Sequence, residues 1–174
     1  MARTSFASRL TRLLRHRWLD DADARKAIAP VMLERLMLRV GASEKRHGGE
    51  IRICVEASLP SGYIWRDATA RERAVAMFGK LRVWDTQHNN GVLVYLLLAE
   101  RAIEIVADRG LNQHVPAAQW APLVQSLSAA LREGSFEGGL TQALEEVSAL
   151  LVEHFPLAAG ESNPNELPDK PLLV

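Results

Sequence analysis

Asp85, Asn89, Asn90 and Asp108 are the side chains of this 174-residue chain whose types and placement could hold and polarise a ligand. Two carboxylates and two amides are hard oxygen donors, the kind that Ca²⁺ and Mg²⁺ take. His88 lies in the same polar segment, Asp85-Thr86-Gln87-His88-Asn89-Asn90-Gly91, and would add a nitrogen that shifts the preference towards Mn²⁺ or Zn²⁺. The same residue types also build loops with no ion at all, because Asp and Asn form side-chain turns and tolerate left-handed backbone. Asp108, just before Arg109-Gly110, could simply cap the turn that follows. Both readings stand at this level.

The four residues are far apart in the chain, so an element must bring them together. After the polar segment an unbroken apolar run extends from Val92 to Leu98. A turn at Ala99-Glu100-Arg101 and a second run, Ala102 to Ala107, follow. An apolar run without polar alternation suits a strand buried on both faces. A turn this short returns the second strand antiparallel to the first. The residues before the first strand and after the second then share one end of a hairpin.

The flanking elements follow from spacing. Glu50–Ala57 reads as a strand, Thr69-Ala-Arg-Glu72 as a capping box opening a helix to about Leu81, and the Val92 strand comes next. Strand, helix, strand is a crossover unit, so the first strand runs parallel to the Val92 strand. Glu56 is then carried to the sheet end away from Asp85 and Asp108. Pro30 suits the first position of a helix with Leu33, Leu36, Met37 and Val40 inward. A short helix capped by Asp20, Asp21 or Asp23 ends near Ala29, before that proline. Beyond Gly110, a helix beginning near Ala118 keeps Pro122 in its first turn. Gly138-Gly139 precedes a last helix that Pro156 stops. The sum is an α/β fold: a three-layer α/β/α sandwich with a mixed sheet, and extra helices at the N-terminus. Residues 1–48 form a helical extension, 49–156 the domain, and 157–174 an extended or disordered tail.

Residues 4–18 form an amphipathic helix with Phe6, Leu10, Leu13, Leu14 and Trp18 on one side and Arg9, Arg12, Arg15 and His16 on the other. Docking of the apolar face on the domain is preferred to contact with an anionic membrane surface. Charge is uneven: residues 1–52 hold twelve Lys and Arg against six Asp and Glu, although the whole chain is neutral. Zero net charge, and no aromatics interleaved with the basic stretch, argue against nucleic acid. No Walker loop, Gly-x-Ser-x-Gly elbow or His-x-x-x-His spacing occurs, which argues against a P-loop, triad or zinc hydrolase. Cys54, the single cysteine, falls inside a strand and reads as a small buried residue. No run reaches the ~18 apolar residues of a membrane span. The chain is expected to be cytoplasmic, peripheral to the inner membrane at most.

The order Asn-Asn-Gly, apolar strand, turn, Ile-Glu-Ile-Val-Ala-Asp-Arg-Gly, then a helix carrying Trp120, resembles the TPM domain family over roughly Gly49 to Pro156. The short single-domain bacterial members are the most similar. Many relatives carry an export signal and a membrane anchor, features not evident here. The resemblance implies divalent cation binding, with Asp85, Asn89, Asn90 and Asp108 as the ligands and Ca²⁺ or Mg²⁺ preferred to Mn²⁺. It also implies either of two roles. One is an accessory module that contacts a protein partner in a membrane-associated complex, with residues 4–18, exposed Trp65 and the tail as contact surfaces. The other is a low-activity metal-dependent phosphatase, in which His88 would be the proton donor.

Overall fold

The computed structural model describes residues 6–17, 26 and 28–174 of the chain. The short helix expected between Asp20 and Ala29 lies almost wholly outside those residues.

The sheet is the centre of the molecule. Strand β1 (Glu50–Glu56) pairs in parallel with β2 (Gly91–Leu97), and β2 pairs antiparallel with β3 (Ala102–Ala107). A two-residue strand β4 (Leu172–Leu173) adds in parallel to the other side of β1, so the order is β3-β2-β1-β4. Every residue of β1 and β2 is buried, as a strand covered on both faces requires. Alternation splits them between two cores. Ile51, Ile53, Val55, Val92, Val94 and Leu96 face one layer of helices, while Cys54, Leu93, Tyr95 and Leu97 face the other.

Helices α2 (Pro30–Glu44), α6 (Ala117–Arg132) and α7 (Phe136–His154) form the first layer. The second layer is α4 (Ala70–Lys80), whose Ala70, Ala74 and Met77 are buried. The architecture is thus the α/β/α arrangement expected. Thr69 and Glu72 make the capping box at α4: the Thr69 hydroxyl accepts from Glu72 N at 3.1 Å, and the Glu72 carboxylate accepts from Thr69 N at 2.7 Å. Short helices α3 (Ser61–Trp65) and α5 (Arg109–Asn112) sit in the connections. The turn between β2 and β3 closes with Arg101 in the left-handed region.

Three expectations are corrected. Pro122 lies in the second turn of α6, not the first, because the helix begins at Ala117. A proline at this depth removes one rung of the helix ladder, here beside exposed Ala118. Gly138 and Gly139 are inside α7 and do not precede it. Gly139 is where α7 crosses α6, since a Cβ there would stand 3.1 Å from the Cβ of Ala130.

The third concerns α1 (Phe6–Arg17), which docks by its polar side. Arg12 pairs with Glu100 at 2.7 Å and with Asp67 at 3.0 Å. His16, only 4 % exposed, accepts from Leu59 N at 3.0 Å and lies 3.0 Å from Glu100. Leu10 and Leu14 are left about half exposed. Glu100 sits on the β2–β3 turn and Asp67 in the connection between α3 and α4, and both offer a carboxylate to the one guanidinium, a charge-assisted contact stronger than a neutral one.

Candidate functional site

The strand register assembles the junction. Val92 faces Ala107, so Asn90, just before β2, and Asp108, just after β3, lie at one end of the sheet. Glu56 pairs with Leu97 at the other end. Asp108 N donates to Gly91 O at 2.9 Å, and Gly110 N donates to Asn89 O at 2.9 Å. The two loops touch at Gly110, where a Cβ would come within 2.5 Å of Asn89 O and 2.6 Å of His88 O. Only glycine lets them approach so closely. Within the first loop the Thr86 hydroxyl accepts from Asn90 N at 3.1 Å, and Asn89 takes φ 52°, a left-handed turn of the kind asparagine tolerates.

Much of the polar chemistry is therefore spent on building the junction. Asp108 Oδ1 accepts from Arg109 N at 2.7 Å and caps α5. Asn89 Oδ1 accepts from Arg109 Nε at 2.8 Å. Asp85 is exposed and forms an ion pair with Arg82. His88 is exposed. Asn90 is fully buried and its Nδ2 donates to Gly48 O at 2.8 Å.

Two atoms remain. Asn90 Oδ1 and Asp108 Oδ2 are buried, and no donor among the described residues reaches either. Buried oxygens without a donor are costly and call for a ligand or water. A hard cation is one chemistry that suits such donors, an amide oxygen and a carboxylate oxygen at one rim of the sheet. The fit has bounds. Among the described residues no three His, Cys, Asp or Glu side chains gather as a metal cage would require. Arg109 adds a positive charge beside Asn89. Asn90 and Asp108 are the two expected residues that keep an unpartnered oxygen; Asp85 and Asn89 are engaged with Arg82 and Arg109.

The far end of the sheet holds a closed network. Arg73 donates to both oxygens of Glu56, at 2.8 Å from Nε and 2.6 Å from Nη2, and Tyr95 OH donates to Glu56 Oε2 at 2.6 Å. Burial, then the Glu56 contact, pushes the Tyr95 hydroxyl above its ordinary range. Burial lifts the Cys54 thiol to about 12, an unreactive value.

Sequence reasoning passed over a second set of buried acids. Glu44 and Glu50 are 3 % and 0 % exposed, and each has one oxygen without a donor. Burial raises Glu44 to about 8, with Glu50 and Asp169 adding to the effect against an opposing bond from Ile51 N. His47, fully buried with Nδ1 3.0 Å from Gly49 O, is lowered to about 4, first by burial. One signal was legible: Met32, Leu36, Val40 and Glu44 recur every fourth residue, so Glu44 continues the buried stripe of α2.

Comparison with known proteins agrees with this architecture. The family model described as TPM domain matches residues 23–150. The BA42 protein from the psychrophilic bacterium Bizionia argentinensis, solved by NMR, superposes with a TM-score of 0.72 at 23 % identity, covering 83 % of this chain and 94 % of that one. The N-terminal domain of a P. gingivalis protein, also an NMR structure, superposes with a TM-score of 0.59 at 20 % identity, covering 75 % of this chain and 82 % of that one. At such identities the likeness is one of fold. No curated protein matches.

Proposed function

The chain belongs to the TPM domain family, and from that premise we propose that it is an accessory interaction module of a membrane-associated protein complex that also holds one divalent cation. The observation that carries the first part is the seating of α1. The helix is held by Arg12 and His16, and it offers Leu10 and Leu14 outward at 49 % exposure each. A helix anchored by its polar side presents an apolar edge to a partner groove or a lipid surface. Trp65, at 75 % exposure, stands two residues from the Asp67 that pairs with Arg12 and extends that surface. Arg12→Ala should free α1 and weaken partner binding. Co-sedimentation with anionic vesicles, with and without residues 1–18, separates a lipid surface from a protein groove. Loss of all partner and vesicle binding only on unfolding, and never on truncation, would reject this surface.

The cation part rests on Asn90 Oδ1 and Asp108 Oδ2, with Ca²⁺ or Mg²⁺ favoured over Mn²⁺ by an all-oxygen donor set. Such an ion would supply charge to tie the loops together. Titration of labelled protein with CaCl₂, then with Mn²⁺ as a paramagnetic probe, should perturb amides 86–91 and 108–111. Perturbation confined to other segments would remove the site. A phosphatase reading needs a proton donor and an attacking group at this junction. Exposed His88 is the candidate donor, and turnover of a phosphomonoester lost in a Asp85→Ala, Asp108→Ala double variant would favour it over a purely binding role.

A further inference from the structure

Residues 157–174 lie across the molecule as an extended strap. Val174 N donates to Val55 O at 2.9 Å and Ala57 N donates to Val174 O at 2.7 Å, closing the β1–β4 pairing. Asn163 Nδ2 donates to the carbonyls of His47 and Gly49 at 3.0 Å each, and the Glu166 carboxylate accepts from Gln87 N at 3.1 Å. Arg52 donates to the carbonyls of Pro168 and Lys170, and Leu167 is buried. All of these attract.

One contact under the strap ought to repel. Asp169 closes on α2 at Gly41, where a Cβ would stand 2.6 Å from Asp169 Oδ2. There it meets Glu44 side chain to side chain. Glu44 Oε2 and Asp169 Oδ1 are both buried without a donor, and Glu50 Oε1 nearby is a third such oxygen. Two carboxylates cannot hydrogen-bond to each other unless one carries a proton. The charged groups around the pair come from each element packed there: Glu44 and Lys45 from α2, Glu50 and Arg52 from β1, and Glu161, Glu166, Asp169 and Lys170 from the strap. Arg52, which faces Asp169 from β1, gives its Nη1 to two strap carbonyls and acts on Asp169 through its charge. A cavity of about 770 Å³, lined by Gly41, Glu44, Asn163, Asp169 and Lys170, opens beside the pair.

We propose that residues 157–174 are a proton-gated latch, seated while Glu44 carries a proton against Asp169 and released when that proton is lost. Glu44 is raised from 4.5 to about 8 in the folded protein, first by burial. A seated strap therefore binds a proton that a lifted strap gives up, so seating is complete at acid pH and weakens as pH rises through about 8. Because the strap also braces Gln87 and the His47–Gly49 turn, release loosens the loop that carries Asn89 and Asn90. The latch does not depend on any ion at that loop.

Hydrogen exchange tests it. Protection of amides at 55–57 and 172–174, corrected for the intrinsic rate, is compared at pH 6.5 and 9.5. The wild type should lose on the order of tenfold or more, and at both pH values the strap amides should exchange well ahead of those in β2, as a local release requires. Glu44→Gln, which keeps an acceptor for Ile51 N and supplies an N–H to Asp169, should abolish the loss. Asp169→Asn, on the partly exposed strap, replaces the facing carboxylate by a donor and should shrink the loss without abolishing it, and it carries the test if the first variant does not fold. Unchanged wild-type protection, the wild-type loss undiminished in both variants, or strap amides no less protected than those of β2 would each overturn the latch.

Discussion

At Asp108 one carboxylate oxygen caps α5 and the other meets no donor among the described residues, so the two duties can be separated by mutation. Asp108→Asn keeps an acceptor for Arg109 N and removes the charge. Urea unfolding should move by no more than about 1 kcal/mol, within the range for exchanging good capping residues. Ca²⁺ affinity followed by calorimetry should fall by about tenfold or more, since a carboxylate is the stronger ligand. The Glu56 network makes the opposite case, in which every group is satisfied. Glu56→Ala strands the Arg73 guanidinium and the Tyr95 hydroxyl in a buried site, and should cost roughly 3–5 kcal/mol in denaturant unfolding. Tyr95→Phe removes one partner while Arg73 still satisfies Glu56, and about 1–2 kcal/mol is expected. Equal costs for the two variants would show that the ion pair contributes little beyond the hydroxyl bond.

At the scale of elements, the hairpin and the glycine at its open end decide whether the junction exists. Gly110→Ala places a methyl against two carbonyl oxygens at 2.5 and 2.6 Å, and backbone cannot yield as a flexible side chain would. The loops must part, so Ca²⁺-induced shifts at 86–91 should vanish and the thermal midpoint should drop by several degrees. Gly62→Ala, where nothing lies within 4 Å, is the control and should leave both unchanged. The strands and the α4 capping box were readable because their signals are local: apolar runs, a turn, and Thr69 with Glu72. The seating of α1 was not. Its apolar stripe argued for one face, and the decision went to Arg12 and His16 because Glu100 and Asp67 happen to face them. A moment computed along a helix carries no information about the charges it will meet.

Across the whole molecule, buried ionisable groups give stability a pH profile. Glu44, raised to about 8, contributes fully below pH 4.5 and loses that contribution as pH climbs through 8. His47, lowered to about 4, contributes fully above pH 6.5 and loses it as pH falls through 4. The two slopes oppose each other between about 4.5 and 6.5, so for this pair stability is flat there and declines on either side. Unfolding free energy measured from pH 6 to 9 should fall, on the order of a few kcal/mol, and Glu44→Gln should flatten that decline. A profile rising from pH 6 to 9 would contradict the burial of a protonated Glu44.

The residues themselves determined the hairpin, the parallel crossover, the two-faced burial of β1 and β2, and the gathering of Asn89, Asn90 and Asp108 at one rim. Each follows from periodicity and turn length within a short stretch. Tertiary structure alone decided that Asp85 pairs with Arg82, that Asn90 and Asp108 each keep an oxygen free, and that Glu44 meets Asp169 beneath the strap. The strap has no periodicity to read, and its seating depends on carbonyls, amides and a protonated carboxyl supplied by segments far away in the chain. Such contacts are set by which surfaces the packed sheet and helices leave open, and no local pattern records them.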